Sequence, residues 1–203
     1  MPDSIPSQKT RAGRRQFLLV AALFAAPLVG AWLLYFAFPQ WQPQARGNYG
    51  VLVSPARPLP GWNLAGADGK APDDDILRRK WTLLYVGQAQ CAQPCQDALL
   101  QTRQIRVLLN QDRNRVQRVY LAPSQAALSA AQAALPAGVH QDLVYLYERS
   151  ANAPAHAFFD GAVPDAVYLI DPLGNWAMTF PAGSDYKKVL KDLKYLLQLS
   201  HIG

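Results

Sequence analysis

From Phe17 to Phe38 the chain reads FLLVAALFAAPLVGAWLLYFAF, apolar or small on every side and without a charge. At about 1.5 Å per residue a helix of this length spans about 33 Å, enough to cross a hydrocarbon core. Pro27 and Gly30 are tolerated in such a helix, because neighbours or local adjustment satisfy the freed backbone groups. A transmembrane anchor over 16–38 is therefore predicted. Basic residues crowd its amino-terminal side, and the first charge after it is Arg46. The positive-inside bias then places a tail of residues 1–15 in the cytoplasm and the remainder outside. A cleaved signal peptide would have an apolar core of about 7–15 residues and a small-residue exit. Here the exit is Ala37-Phe38-Pro39, which favours an uncleaved anchor. Arg14-Arg15-Gln16-Phe17-Leu18 also resembles a twin-arginine export signal, so that route stays open.

After the anchor the periodicity stops. Residues 39–59 are rich in Pro, Gln, Gly and Arg and read as a linker. Over 60–203 short β-prone runs alternate with amphipathic helical segments. Trp62-Asn63-Leu64 leads into an Asp68-Gly69 turn. Trp81–Val86 is a continuous apolar strand, followed by a helix over Gln96–Asn110 with Leu99, Thr102, Ile105, Leu108 and Leu109 on its apolar side. Val116–Leu121 is a second strand, and Ser124 caps an alanine-rich helix ending near Leu135. Leu143–Tyr147, Ala166–Ile170 and Trp176–Phe180 read as strands, the last two joined by a hairpin loop. A final helix opens at Gly183-Ser184-Asp185, with Val189, Leu190, Leu193, Leu196 and Leu197 as its buried stripe. Lys187, Lys191 and Lys194 share another of its sides, a solvated face or one open to anionic lipid or an acidic partner. This order predicts an α/β fold, a mixed sheet flanked by helices.

Composition narrows the chemistry. A length of 203 residues suits one domain with an appendage. Four of the twenty basic residues precede position 16, and the chain beyond it has an excess of only three positive charges, so a nucleic-acid partner is not indicated. Three histidines and a single glutamate argue against a carboxylate-rich metal site. Asp73-Asp74-Asp75 has no calcium-loop spacing around it and reads as a solvated loop. The two cysteines are too few to staple a fold or to form a four-cysteine zinc site.

They are, however, close together, in Cys91-Ala92-Gln93-Pro94-Cys95 between a buried strand and a helix start. Pro94 suits a first helical position. Helix-start amides favour a thiolate. Helix geometry puts residues four apart about 6.2 Å from each other at Cα, within disulfide reach. Reduced, the pair offers soft ligands for Cu(I). Thiol–disulfide exchange, soft-metal binding and a static disulfide all remain open.

The strand, loop, C-x-x-x-C and helix resemble the Sco/SenC branch of the thioredoxin-like superfamily. The likeness is most specific over Lys80–Gly87 with Cys91 and Cys95, and again over Tyr168-Leu169-Ile170-Asp171-Pro172-Leu173-Gly174. It implies a thioredoxin-like central sheet and a role in building the copper centre of cytochrome c oxidase, by thiol–disulfide exchange, transient Cu(I) binding or both. Cys91 and Cys95 carry over as the functional pair, Cys91 as the exposed attacking thiolate and Cys95 as the resolving one. The family's copper-binding histidine does not carry over. Its position falls near Val163, in Ala162-Val163-Pro164-Asp165, which is similar instead to the cis-proline loop of thioredoxins. Pro164 is the candidate cis residue facing the cysteines, and His156 is the candidate third copper ligand. The implied enzyme class is thiol–disulfide oxidoreductase. The implied partners are an oxidase subunit or other assembly factors, and the implied place is a bacterial inner membrane with the domain in the periplasm. The competing reading is a non-catalytic docking or assembly factor on the same fold, with a structural disulfide.

Overall fold

The structure is a computed structural model that describes residues 8–37, 47–150, 152, 154–159, 165–200 and 202. The chain divides into two compact units, Met1–Arg46 and Gly47–Gly203. The first contains helix α1, Gln8–Phe36, whose stretch Gly13–Phe36 includes an 18-residue window of mean hydropathy 2.4 and is long and apolar enough to cross a membrane. Pro27 lies inside it, a position that helices long and apolar enough to span a membrane tolerate.

The second unit contains β1 (Val51–Pro58), β2 (Leu64–Gly66), β3 (Trp81–Val86), α2 (Gln93–Leu108), β4 (Val116–Ala122), α3 (Gln125–Ala134), β5 (Leu143–Glu148), α4 (Pro154–Phe159), β6 (Val167–Ile170), β7 (Asn175–Phe180) and α5 (Tyr186–Leu199). They form one seven-stranded sheet in the order β1-β7-β6-β3-β4-β5-β2. The core β3-β4-β5 is parallel, and the remaining pairings are antiparallel. A mixed sheet follows from the connections: helices join the parallel strands, and a tight turn joins β6 to β7.

The period-two pattern sorts β3 cleanly between two cores. Trp81, Leu83 and Tyr85 face α2, α3 and α5, with Ile105, Leu128, Leu193 and Phe180 among their neighbours. Leu84 faces the other layer, with Val119, Leu146, Phe159 and Trp176. Strands buried on both faces read as unbroken apolar runs, which is why β3 was visible in the sequence. Ser124 caps α3 by accepting from Ala127 N at 3.2 Å, and Asp185 caps α5 by accepting from Lys187 N at 2.9 Å.

Two boundaries are corrected. The expected linker over 39–59 does not run to Leu59, because Val51–Pro58 pairs with β7 as an edge strand. Its prolines, including a cis peptide at Ser54-Pro55, hid it from sequence patterning; an edge strand tolerates them because its outer side has no ladder to complete. The entrance to β1 is held by the buried Asp192 of α5, which accepts from Tyr49 N at 2.7 Å and Gly50 N at 2.8 Å. Gly50 has no room for a side chain, since a Cβ there would lie 2.5 Å from Phe180 Cε1 and 2.6 Å from Met178 Sδ. The second correction concerns α2, which begins at Gln93 and not at Gln96.

Arg118 of β4 is fully buried on the α2 side of the sheet. Its Nε donates to Thr102 Oγ1 at 3.0 Å, Nη1 to Asp142 Oδ1 at 2.8 Å and Nη2 to Leu99 O at 2.6 Å. Nη2 also reaches His140 Nδ1 at 3.2 Å. A guanidinium only donates, so Nδ1 of His140 accepts and the ring is neutral with its hydrogen on Nε2. Burial first, then the Arg118 charge, holds His140 below its ordinary value, with Asp142 opposing and Arg103 reinforcing. A histidine lowered in the folded state contributes stability above its unfolded value of about 6.5 and loses it as the pH falls through the folded value. We expect chemical-denaturation midpoints to fall as the pH drops from about 7 to 5. His140→Asn, whose Oδ1 can take the place of Nδ1, should flatten that slope.

Candidate functional site: the Cys91–Cys95 pair

Strand β3 ends at Val86, and Gly87 opens the loop that leads to α2. Gly87 is fixed from both sides of its backbone: its N–H donates to Leu121 O at 2.8 Å, and its carbonyl accepts from His156 Nε2 at 2.8 Å. The loop then reaches Cys91, and α2 starts two residues later with Pro94 in its first turn, where a missing N–H costs nothing. Cys95 lies in the same turn. The two cysteines are joined by a disulfide with Cα atoms 5.2 Å apart, somewhat closer than ideal helix geometry would set them. Gln96 braces the loop, its Nε2 donating to Cys91 O at 3.2 Å and its N–H to Ala92 O at 3.1 Å.

Both cysteines are 4% exposed, so the expected difference in exposure between Cys91 and Cys95 is absent in this oxidised form. They share an apolar cluster with Tyr85, Ala98, Leu99 and Tyr120. The Tyr85 and Tyr120 rings stack with centroids 6.0 Å apart. Burial pushes the Tyr120 phenol up to about 12, with Tyr145 adding to it. Burial, and then the hydrogen bond it donates to Asp165 Oδ1 at 2.7 Å, push the Tyr85 phenol far above its ordinary range. Neither phenol is a proton donor to the cysteines by ionisation near neutral pH. Together they form a stiff, unionised floor.

His156 is brought to the cysteine loop, though toward its start. Its Nε2 meets the Gly87 carbonyl and its Nδ1 meets Glu148 Oε2. Glu148, the single glutamate of the chain, is buried and also accepts from Ala155 N at 2.6 Å and His156 N at 3.1 Å. It anchors the first turn of α4, and both ring nitrogens of His156 are engaged. A carbonyl only accepts, so Nε2 carries a hydrogen. Among the described residues no group of three or more His, Cys, Asp or Glu side chains is placed to hold a metal ion. His140 lies in the Arg118 network and has no such role.

Pro164, with Ala162 and Val163, lies outside the described residues, and so does His201. The residue after Pro164 is Asp165, in a left-handed conformation with φ 53° and tied to β3 through Tyr85. Beside it, a cleft of about 210 Å³ runs past the first turns of α2, lined by Pro94, Asp97, Ala98, Asp165, Phe180 and Ser184. Sequence reading did not single out Glu148 or Arg118, and it had Asp165 only as a member of the Pro164 loop, without its bond to Tyr85. Only the rarity of glutamate signalled the first.

Residues 81–200 match the family described as transmembrane-like, thioredoxin-like, C-terminal domain. No curated protein matches the chain in sequence. Among solved structures, yeast Sco1 superposes with a TM-score of 0.58 at 19% identity, over 73% of this chain and 98% of that one. Copper-bound ScoI of Arabidopsis thaliana gives 0.54 at 17% identity, over 68% and 97%. BsSco, described with a disulfide switch and as a member of the Sco family of cytochrome c oxidase assembly proteins, gives 0.54 at 16% identity, over 71% and 96%. These likenesses establish the fold, a thioredoxin-like sheet as in the Sco structures. With its matched region spanning more than half its length, the chain belongs to the transmembrane-like, thioredoxin-like C-terminal domain family.

Proposed function

We propose that this protein is a membrane-tethered thiol–disulfide exchanger, facing the periplasm of a bacterial inner membrane, that prepares the copper-ligand cysteines of a cytochrome c oxidase subunit and carries Cu(I) transiently on its reduced pair. The observation that supports this is the Cys91–Cys95 disulfide at the start of α2, in the loop leaving the central strand. Disulfides spanning so few residues add little chain-entropy stabilisation, which speaks for chemistry over stapling. The disulfide switch of BsSco and the copper held by the Arabidopsis protein belong to proteins of the same fold.

With the pair reduced, the Cys91 thiolate attacks one sulfur of the client disulfide and releases the other client sulfur as a thiolate. The Cys95 thiolate then attacks Cys91 in the mixed disulfide, freeing the second client thiolate and forming the Cys91–Cys95 bond. Two electrons pass to the client, and a dithiol donor must return them before the next cycle. Helix-start amides stabilise the thiolates between steps. The Pro164 loop is the proposed docking edge for the client. Copper, as cargo, is held by the two thiolates once the disulfide is open, and His156 joins as a ligand by giving up the Gly87 carbonyl.

The test is the reduction potential of the full-length protein. An exchanger has a potential above about −300 mV, and a lower value marks a structural disulfide. Cys91→Ser and Cys95→Ser should each abolish client reduction and Cu(I) binding by the reduced protein, and His156→Ala should weaken the copper complex. The burial of both sulfurs favours a second reading, a docking factor with an inert disulfide. Under it, the double serine variant still supports copper-loaded oxidase.

A further inference from the structure

Helix α5 carries Lys187, Lys188, Lys191 and Lys194 on its exposed surface. Among the described residues none of these lysines has a carboxylate within ion-pair distance. The helix's one interior acid, Asp192, is buried and committed to the amides of Tyr49 and Gly50. The positive charge is therefore unneutralised and points to solvent.

The same face carries aromatic and apolar groups. Tyr49, half exposed, lies under the ammonium groups of Lys188 and Lys191, each 5.4 Å from its ring centroid. Tyr195 and Leu199 are more than half exposed on α5, and Leu52 is so on the neighbouring edge strand, opposite Met178 on the α5 side of the sheet. A shallow groove between Lys187, Lys191, Lys194 and Tyr195 completes the surface. Lysines around exposed tyrosine and aliphatic side chains are the chemistry of a headgroup-level contact with anionic lipid.

Chain connectivity selects the occupant. Nine residues separate Ala37, at the end of the apolar helix, from Gly47, and Tyr49 follows two residues later. Fully extended, that segment spans at most about 35 Å, so the lysine face begins within a short reach of the bilayer that holds the helix. A bilayer surface held at such a distance is always present at high effective concentration, unlike a free acidic protein.

We infer that the α5 lysine face with Tyr49 is a docking surface for the anionic headgroups of the membrane in which the protein is anchored. Docking would restrict the orientations open to the domain, independently of whether the cysteines exchange electrons. The test uses the full chain in nanodiscs of phosphatidylcholine alone, or of phosphatidylcholine with phosphatidylglycerol. Each lysine is followed by acylation with a neutral amine reagent and mass spectrometry.

In anionic discs acylation at Lys187, Lys188, Lys191 and Lys194 should slow about threefold or more relative to neutral discs, and 0.5 M salt should largely abolish the protection. Lys70 and Lys80, outside this face, should react equally in both. In the variant Lys187→Gln/Lys191→Gln/Lys194→Gln, Lys188 should lose its protection. These side chains are exposed, and an unchanged circular dichroism spectrum verifies that the variant is folded. Equal acylation of the face in both discs overturns the inference. Protection found in native membranes but not in anionic discs without other native membrane proteins also overturns it, assigning the face to an acidic protein.

Discussion

Arg118→Ala should cost about 3–5 kcal/mol of folding stability, measured by urea unfolding of the tethered domain, because it leaves a buried polar network without its central cation. Arg118 is fully buried, and burial lowers the guanidinium from its ordinary value while Asp142 works in the opposite direction. Its gain therefore comes from satisfied geometry more than from charge alone. Four acceptors surround it, from α2, from the His140–Asp142 segment and from Thr102, which itself donates to Leu99 O at 2.9 Å. Removing the side chain leaves Leu99 O and Thr102 without this donor in the interior and opens a void. Asp142 keeps Arg106 as a partner at 3.1 Å. Arg118→Met separates the two costs by filling most of the void without supplying a donor. It should recover about 1–2 kcal/mol of the loss, the part due to packing. Full recovery by methionine would refute the polar account, since buried ion pairs are sometimes matched by apolar replacements. Because Leu99 and Thr102 belong to α2, this network also fixes the helix that presents Cys95.

Gly87→Ala should be nearly as damaging, costing about 3 kcal/mol, the upper end of ordinary overpacking. A Cβ at Gly87 would collide with the hydroxyl and Cζ of Tyr120 and approach its Cε2 at 2.7 Å. Neither side can yield easily. Tyr120 is fully buried and stacked on Tyr85, and Gly87 is held by Leu121 on one side and His156 on the other. Tyr120→Ala alone leaves a cavity, but in combination with Gly87→Ala it should show a favourable coupling of about 1–3 kcal/mol in a double-mutant cycle. A near-neutral Gly87→Ala would mean that the ring shifts freely, and the floor under the cysteines would then be soft. The same variant disturbs the first residue of the cysteine loop, so a change in the reduction potential should accompany the loss of stability.

The elements that were legible in the sequence are those whose pattern is local. Trp81–Val86 is apolar on both faces, Ser124 and Asp185 announce helix starts, and Phe17–Phe38 has no charge to interrupt it. The C-x-x-x-C spacing could be read for the same reason: strand, loop and helix start are consecutive. What escaped reading depends on partners far away in sequence. The burial of Arg118 was not legible, because its partners in α2 and at Asp142 come together only after β4 and β5 pair. β1 was concealed by Pro55 and Pro58, whose tolerance depends on having a neighbour on one side only. His156 offered no spacing to the cysteines, and its actual engagement with Glu148 and Gly87 comes from a six-residue helix that the pattern did not reveal.

The clamp of Asp192 on Tyr49 and Gly50 has a mechanical consequence. A pull applied at Gly47 first meets the two bonds that Tyr49 N and Gly50 N donate to Asp192 of α5, before any strand is peeled. Only when they give way does the pull reach β1, and from there it must pass through β7 and β6 before it is felt at β3. The strand that delivers the cysteine loop is thus three ladders removed from β1, so strain entering at β1 must cross the sheet before it reaches the disulfide.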